Sequence, residues 1–283
     1  MNDFILTGVR GFLGSAVFEY IVRHFKDARI AVIERDITLK LQLKYDVEVV
    51  TWSNLDLLIG RKAVVIHMAN SKLEKENQEM INNLHYLITR LNRANVVFIS
   101  SVSVYGSGYR CINSSSIPSP DSQYGWMKLY GESRIMDAVS QMTGSQCTLI
   151  RSSAILGKNM PETFVRRLWN ACKESGEIRL SGENCLFNNC MNVESMVLLI
   201  VKAALGEGSI GHVYVTGSHS PMRLGEIIGY MMDQIGLDKS MLSFKSDKSI
   251  KSFYIDSEFV YQLPKEIQIS TQDCLRRFVR LRI

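Results

Sequence analysis

Short β-rich apolar runs alternate with segments of helical periodicity, and this alternation constrains the chain more than any other feature. The runs are Phe4 to Thr7, Arg29 to Glu34, Val47 to Thr51, Ala63 to His67, Val96 to Ser100 and Gln146 to Ile150. Each is short and nearly continuous in apolar residues, as strands buried on both faces are. Between them, Phe12 to Phe25, Glu74 to Asn92 and Tyr124 to Met142 carry apolar residues at helical spacing. This order predicts an α/β fold with a doubly wound parallel sheet. After Arg151 the pattern loosens into helices near Thr163 to Glu174, Val193 to Leu205, Arg223 to Ile235 and Thr271 to Val279, with a strand near Ile178 to Leu180. We therefore expect a first domain over 1–156 and a smaller α/β C-terminal lobe over 157–283. The short strand His212 to Val215 is expected to return to the main sheet.

With 46% hydrophobic and 22% charged residues over 283 positions, the chain can bury a full core. Its opening residues run straight into a strand and carry no signal-peptide pattern, so a cytoplasmic location is expected. The longest apolar stretch, Val193 to Leu205, is interrupted by Glu194, Ser195 and Lys202 and is too short to span a membrane. The six cysteines form no C-x-x-C pair and read as reduced thiols, and the five histidines show no ligand spacing, so no metal is expected. Net charge is +5. Arg276, Arg277, Arg280 and Arg282 interleave with Leu275, Phe278 and Leu281 as the solvated face of an amphipathic helix, without the aromatic residues a nucleic-acid site uses.

Thr7-Gly8-Val9-Arg10-Gly11-Phe12-Leu13-Gly14 follows a strand and opens a helix. Such a turn presents backbone N–H groups and a positive helix end to a pyrophosphate, and it meets the Rossmann-type dinucleotide fingerprint in part, a strand-to-helix turn that uses glycine for packing being the alternative. Its spacing is G-x-x-G-x-x-G. The second strand ends in Glu34-Arg35-Asp36. A carboxylate there binds the adenosine ribose hydroxyls of NAD, whereas Arg35 with Arg10 could clamp the 2′-phosphate of NADP. The two guanidinium groups lean the reading to NADP over NAD.

The segment Ser100-Ser101-Val102-Ser103-Val104-Tyr105-Gly106 begins where the strand Val96 to Ser100 ends, and Tyr124 and Lys128 follow at i and i+4 on one helix face. A free phenol titrates near pH ~10, and a neighbouring ammonium favours its ionised form. Lys128 is thus expected to lower the pKa of Tyr124 toward the working range of a general base.

These motifs, together with His67-Met68-Ala69, Arg151-Ser152-Ser153 and Asn189 to Ser195, resemble the extended short-chain dehydrogenases of the NAD-dependent epimerase/dehydratase family. The resemblance implies that Tyr124 is the general acid/base, that Lys128 holds the nicotinamide ribose, and that Ser101 hydrogen-bonds the reacting oxygen. It places Gly8, Arg10, Gly11, Phe12, Leu13, Gly14, Glu34, Arg35 and Ala69 around the cofactor with Tyr124 and Lys128. Ser103, Phe164, Arg166, Arg167 and Arg179 become candidates for a nucleotide-sugar substrate, and a homodimer with its seam through the Tyr124 helix is expected. Dehydratases of the family carry an Asp-Glu pair where Val102 and Ser103 stand here. Reduction of a 4-keto-sugar is therefore the favoured reaction, with 4-epimerisation the alternative. A non-sugar carbonyl reductase and a non-catalytic nicotinamide sensor are the further alternatives.

Overall fold

The computed structural model describes residues 3–35, 45–113, 115–174, 178–206, 213–238, 242–245, 253–256, 258, 260 and 263–281. The chain forms two compact units that interleave in sequence. The first takes Met1–Val104, Pro120–Arg151 and Val197–Tyr214, and the second takes Tyr105–Ser119, Ser152–Met196 and Val215–Ile283. The boundary expected after 156 lies near one of several places where the chain passes between units. Asp36, His212 and Arg282 lie outside the described residues.

In the first unit the order is β1 (Asp3–Thr7), α1 (Phe12–His24), β2 (Arg29–Glu34), β3 (Glu48–Thr51), β4 (Lys62–His67), α2 (Glu74–Ile88) and β5 (Arg93–Ser101). The chain leaves this unit for β6 (Cys111–Ile112), then returns for α3 (Gln123–Ser140) and β7 (Gln146–Ser152). The second unit continues with β8 (Ala154–Leu156), α4 (Phe164–Glu174), β9 (Ile178–Ser181), β10 (Leu186–Phe187) and β11 (Cys190–Asn192). Then come α5 (Val193–Leu205), β12 (Val213–Val215), β13 (Met222–Arg223), α6 (Leu224–Ile235), β14 (Leu242–Lys245), β15 (Tyr254–Ile255) and α7 (Thr271–Arg280).

A seven-stranded sheet runs in the order β12-β7-β5-β4-β1-β2-β3, with Val213–Val215 at one edge. The pairings β2–β3, β1–β2, β1–β4 and β4–β5 are parallel. The winding direction reverses between β1 and β4, and a crevice opens at the carboxyl ends of such a pair of strands. In the second unit β8 pairs with β11, β9 with β14 and β6 with β15 in parallel, and β10 pairs with β13 antiparallel.

The near-continuous apolar runs are buried as a two-faced sheet requires: every residue of β1 and β4 after the first is buried. On α1 the buried stripe is Gly14, Val17, Phe18 and Ile21, a helical repeat of three and four. Along α3 the stripe is Gly125, Lys128, Gly131, Glu132, Ile135, Ala138 and Val139. Two charged residues sit on that otherwise small and apolar stripe, which is where the site begins. The amphipathic reading of α7 also holds, with Cys274, Leu275 and Phe278 buried and Arg276 and Arg277 exposed.

Candidate active site

The glycine loop closes tightly on the end of β4. Gly8 has φ +76°, and a Cβ there would lie 2.6 Å from the backbone nitrogen of Ala69. A Cβ on Gly14 would lie 2.0 Å from the Gly8 carbonyl oxygen, so α1 starts packed directly against the loop. Gly11 is the N-cap of α1, with no side-chain cap and no acidic residue in the first turn. The backbone N–H groups of Phe12, Leu13 and Gly14 thus form an uncapped, positively polarised helix end, which fits a pyrophosphate.

Thr7 ties this loop to β4. Its hydroxyl oxygen accepts from the backbone N–H groups of Met68 (3.2 Å) and Ala69 (3.3 Å) and lies 2.8 Å from Nδ1 of His67. With two N–H groups already aimed at the oxygen, the hydroxyl proton goes to Nδ1, so His67 is neutral with its proton on Nε2. Burial, and secondarily the charge of Lys128, lower the His67 pKa to about 3. The sequence excluded this histidine as a metal ligand but gave no sign of its structural bond.

At the end of β2, Glu34 is buried and its carboxylate meets Arg10 at 3.2 Å, while Arg35 meets Glu76 of α2 at 2.9 Å. Both guanidinium groups proposed as a phosphate clamp are therefore engaged by carboxylates.

Ser101, Tyr124 and Lys128, the three residues expected to be catalytic, all lie within the first unit. Ser101 ends β5, and its hydroxyl donates to the Ser103 hydroxyl at 3.1 Å and accepts from the Ser103 backbone N–H at 3.1 Å. Ser122 caps α3 by accepting from the Gly125 backbone N–H, which starts the helix at Gln123 and presents Tyr124 in its first turn. Tyr124 is 44% exposed, and its side chain is hydrogen-bonded to Ser101. Lys128, one turn on, is buried and donates to the Ile99 carbonyl at 3.0 Å. Its Nζ lies 5.8 Å from the Tyr124 ring centre and 5.6 Å from that of Phe98.

One electrostatic expectation is corrected. Tyr124 has its pKa raised by burial, with the Ser101 hydrogen bond pulling the other way. The i,i+4 spacing brings the ammonium near, but its donor is turned to the Ile99 carbonyl rather than to the phenol oxygen. Lys128 itself is lowered by burial to about 8, with Glu132 acting in the opposite sense.

The sequence reading overlooked Glu132, Ser100 and Arg151 as a group. Glu132 accepts from the Ser100 hydroxyl, from Arg151 Nε at 3.0 Å and from Arg151 Nη2 at 2.7 Å. The available signal was position: Tyr124, Lys128 and Glu132 follow one another at four-residue steps. Of the substrate candidates, Ser103 stands beside Ser101. Phe164, Arg166 and Arg167 lie on the first turn of α4 in the second unit. Phe164 meets Phe187 at 5.7 Å between ring centres, Arg166 donates to the Met160 carbonyl, and Arg167 is exposed. Arg179 is on β9, with its side chain outside the described residues. Among the described residues no group of three or more His, Cys, Asp or Glu could hold a metal ion.

The profile of the NAD dependent epimerase/dehydratase family matches residues 4–185. The chain belongs to this family. No curated protein sequence matches it. Among solved structures of this fold, the UDP-Glc/GlcNAc 4-epimerase of Campylobacter jejuni is 16% identical, with TM-score 0.76 over 99% of this chain and 98% of that one. The UDP-N-acetylglucosamine 4-epimerase of Bacillus cereus is 20% identical, with TM-score 0.73 over 99% of both chains. The dTDP-glucose 4,6-dehydratase of Bacillus anthracis, solved with NAD, is 17% identical, with TM-score 0.71 over 99% of this chain and 97% of that one. At these identities the likeness shows the fold alone, an α/β architecture around a parallel sheet.

Proposed function

We propose that this enzyme moves hydride to and from the C4 carbon of a nucleotide-sugar, with Tyr124 exchanging the proton on the C4 oxygen. The observation that carries the reading is the pairing of Tyr124 with Ser101 at the carboxyl end of β5, with Lys128 one helical turn behind. A bound nicotinamide would supply the hydride acceptor and donor. The uncapped start of α1 would hold its pyrophosphate, Glu34 its adenosine ribose and Lys128 its nicotinamide ribose. Ser101 positions the sugar oxygen, and Ser103, sharing its hydroxyl network, gives the substrate a second hydroxyl partner. We assign Phe164, Arg166, Arg167 and Arg179 of the second unit as candidates for recognising the nucleotide diphosphate.

The cofactor we propose is NAD rather than the NADP favoured by the arginines alone. A buried carboxylate at the end of β2 repels a 2′-phosphate, and Arg10 is occupied in neutralising it. An NAD enzyme that returns the hydride to its own product is an epimerase. We therefore place 4-epimerisation ahead of 4-keto-sugar reduction. Val102 and Ser103 supply no carboxylate for dehydration. The enzyme works in the cytoplasm, a reducing setting that suits its six free cysteines. It works there as a homodimer, and exposed Trp126, Tyr130 and Met136 on α3 support an apolar seam.

The test is direct. Purified protein is screened for bound nicotinamide and for stabilisation by UDP-, GDP-, CDP- and dTDP-sugars. We expect tightly held NAD, stabilisation by at least one sugar nucleotide, and turnover that needs no added reductant. In Tyr124→Phe, turnover is lost by at least about 100-fold while NAD stays bound, because only the proton-transferring hydroxyl is removed. Near-normal turnover in that variant sinks the mechanism, and turnover that depends on added NADPH returns the reading to reduction.

A further inference from the structure

We infer that Glu132 is a positioning residue for Lys128, a fixed carboxylate one helical turn away whose charge keeps the ammonium protonated where the Ile99 carbonyl holds it. The inference rests on the reading of Lys128 as the nicotinamide-ribose ligand. The buried stripe of α3 carries Lys128 and Glu132 one turn apart, and both reach to neighbouring residues of β5. Lys128 donates to the Ile99 carbonyl, and Glu132 accepts from the Ser100 hydroxyl. From β7, Arg151 closes a two-pronged bond on both carboxylate oxygens. Glu132 is 2% exposed, and its oxygens are held by two strands of the first unit, β5 and β7. It cannot swing away without leaving a buried charge unmatched.

A plain structural ion pair would need only Arg151 and Glu132. Here a second cation, Lys128, lies one helical turn from the carboxylate, with its donor on the Ile99 carbonyl and its charge within the field of Glu132. Without the carboxylate, the ammonium would sit on Ile99 with no opposing charge in a desolvated site, where the neutral amine is favoured. The other groups facing it do not take over that task. His67 on β4 is neutral, Tyr124 is held in its protonated form, and Arg151 on β7 repels. The Cys147 thiol on β7 is pushed up to about 12 by burial and by Glu132, so it carries no charge at neutral pH.

The experiment follows the side-chain carbon of Lys128 by NMR in protein labelled with 13C at lysine Cε, with Lys128→Met identifying the resonance. In the wild type the titration midpoint is expected near 8. In Glu132→Gln it falls by about 1 pH unit or more, and NAD affinity at pH 8 weakens about 10-fold with it. Glu132→Asp, which keeps the charge, recovers most of the shift. If Glu132→Gln fails to fold because Arg151 is left unmatched, Glu132→Gln with Arg151→Met removes both charges and is expected to show a smaller but measurable fall, since the repulsion from Arg151 goes with them. An unchanged Lys128 midpoint in either folded variant overturns the inference and leaves Glu132 as structural glue. The titration needs neither cofactor nor sugar. Unaltered NAD binding by Lys128→Met would instead refute the ligand role of Lys128 and leave the titration result standing.

Discussion

The Thr7 hydroxyl and Nδ1 of His67 form a buried bond 2.8 Å long, joining the last residues of the two strands between which the sheet changes winding direction. Because the same hydroxyl accepts from Met68 and Ala69, the bond holds the floor of the glycine loop and works only with a neutral imidazole. The native pKa is about 3 against an ordinary 6.5, so between those values the unfolded chain binds more protons than the native one. Stability is therefore complete above pH 6.5 and declines on acidification, by up to about 5 kcal/mol if the whole interval is traversed. Urea unfolding at pH 7 and at pH 4.5 measures this. His67→Leu is expected to be less stable at pH 7, having left Thr7 without its acceptor, but to show a flatter acid limb. Parallel acid limbs in the two proteins would refute the assignment.

Lys128 makes the opposite trade between stability and activity. Its native pKa is about 8 and its ordinary value 10.5, so the unfolded chain binds the extra proton between those limits and stability rises with pH across them. Below pH 8 the native state carries the full cost of the buried ammonium, about 3.5 kcal/mol for roughly 2.5 units at ~1.4 kcal/mol each. Lys128→Met is expected to abolish turnover yet raise unfolding stability at pH 7 by up to that amount. The gain should narrow at pH 9.5. A variant destabilised equally at both pH values would show that the Ile99 hydrogen bond outweighs the desolvation.

The sheet and the placement of Tyr124 and Lys128 on one helix were legible because each leaves a local mark: apolar runs for β1 to β5, glycine spacing for the start of α1, and the i,i+4 step from Tyr124 to Lys128. The missed features are those whose partner is remote in sequence. Cys111 and Ile112 form a two-residue strand only because Tyr254 and Ile255 lie beside them, and no periodicity can appear in two residues. Arg151 and Glu132 meet across 19 positions, so neither reads as an active-site neighbour alone. Spacing placed Lys128 on the face of Tyr124, but spacing does not say which acceptor an ammonium takes. The Ile99 carbonyl won, and burial then set the phenol's direction of shift.

Gly125 is where α3, which carries Tyr124 and Lys128, touches the serine turn after β5. A Cβ there would lie 2.4 Å from the Ser103 carbonyl oxygen and 2.9 Å from Pro120 Cβ, so Gly125→Ala must lift the start of α3 from the serine turn. Tyr124 is the adjacent residue, and a displacement near 1 Å at a reacting group costs on the order of 100-fold in rate. The expected result is a 10- to 100-fold fall in kcat with about 1–3 kcal/mol of destabilisation from overpacking. Gly108→Ala is the control, since a Cβ there meets nothing within 4 Å. Equal kcat values for the two alanine variants would count against a tight Tyr124–Ser101 register.

Cofactor choice turns on Glu34, whose buried carboxylate is 3.2 Å from Arg10 at the end of β2. A ribose diol can donate to that carboxylate, whereas a 2′-phosphate would bring a second negative charge against it, a juxtaposition that costs several kcal/mol. Wild-type protein is expected to bind NADH at least about 10-fold more tightly than NADPH, equivalent to about 1.4 kcal/mol or more. Glu34→Ser removes the repulsion and turns Arg10 from a counter-ion into a phosphate ligand, so NADPH affinity should rise about 10- to 100-fold while NADH affinity falls. Fluorescence titration with both dinucleotides reads the two changes separately. A wild type that prefers NADPH would mean that Arg10 or Arg35 leaves its carboxylate when the cofactor binds, and the reductase reading would then regain the ground that Glu34 took from it.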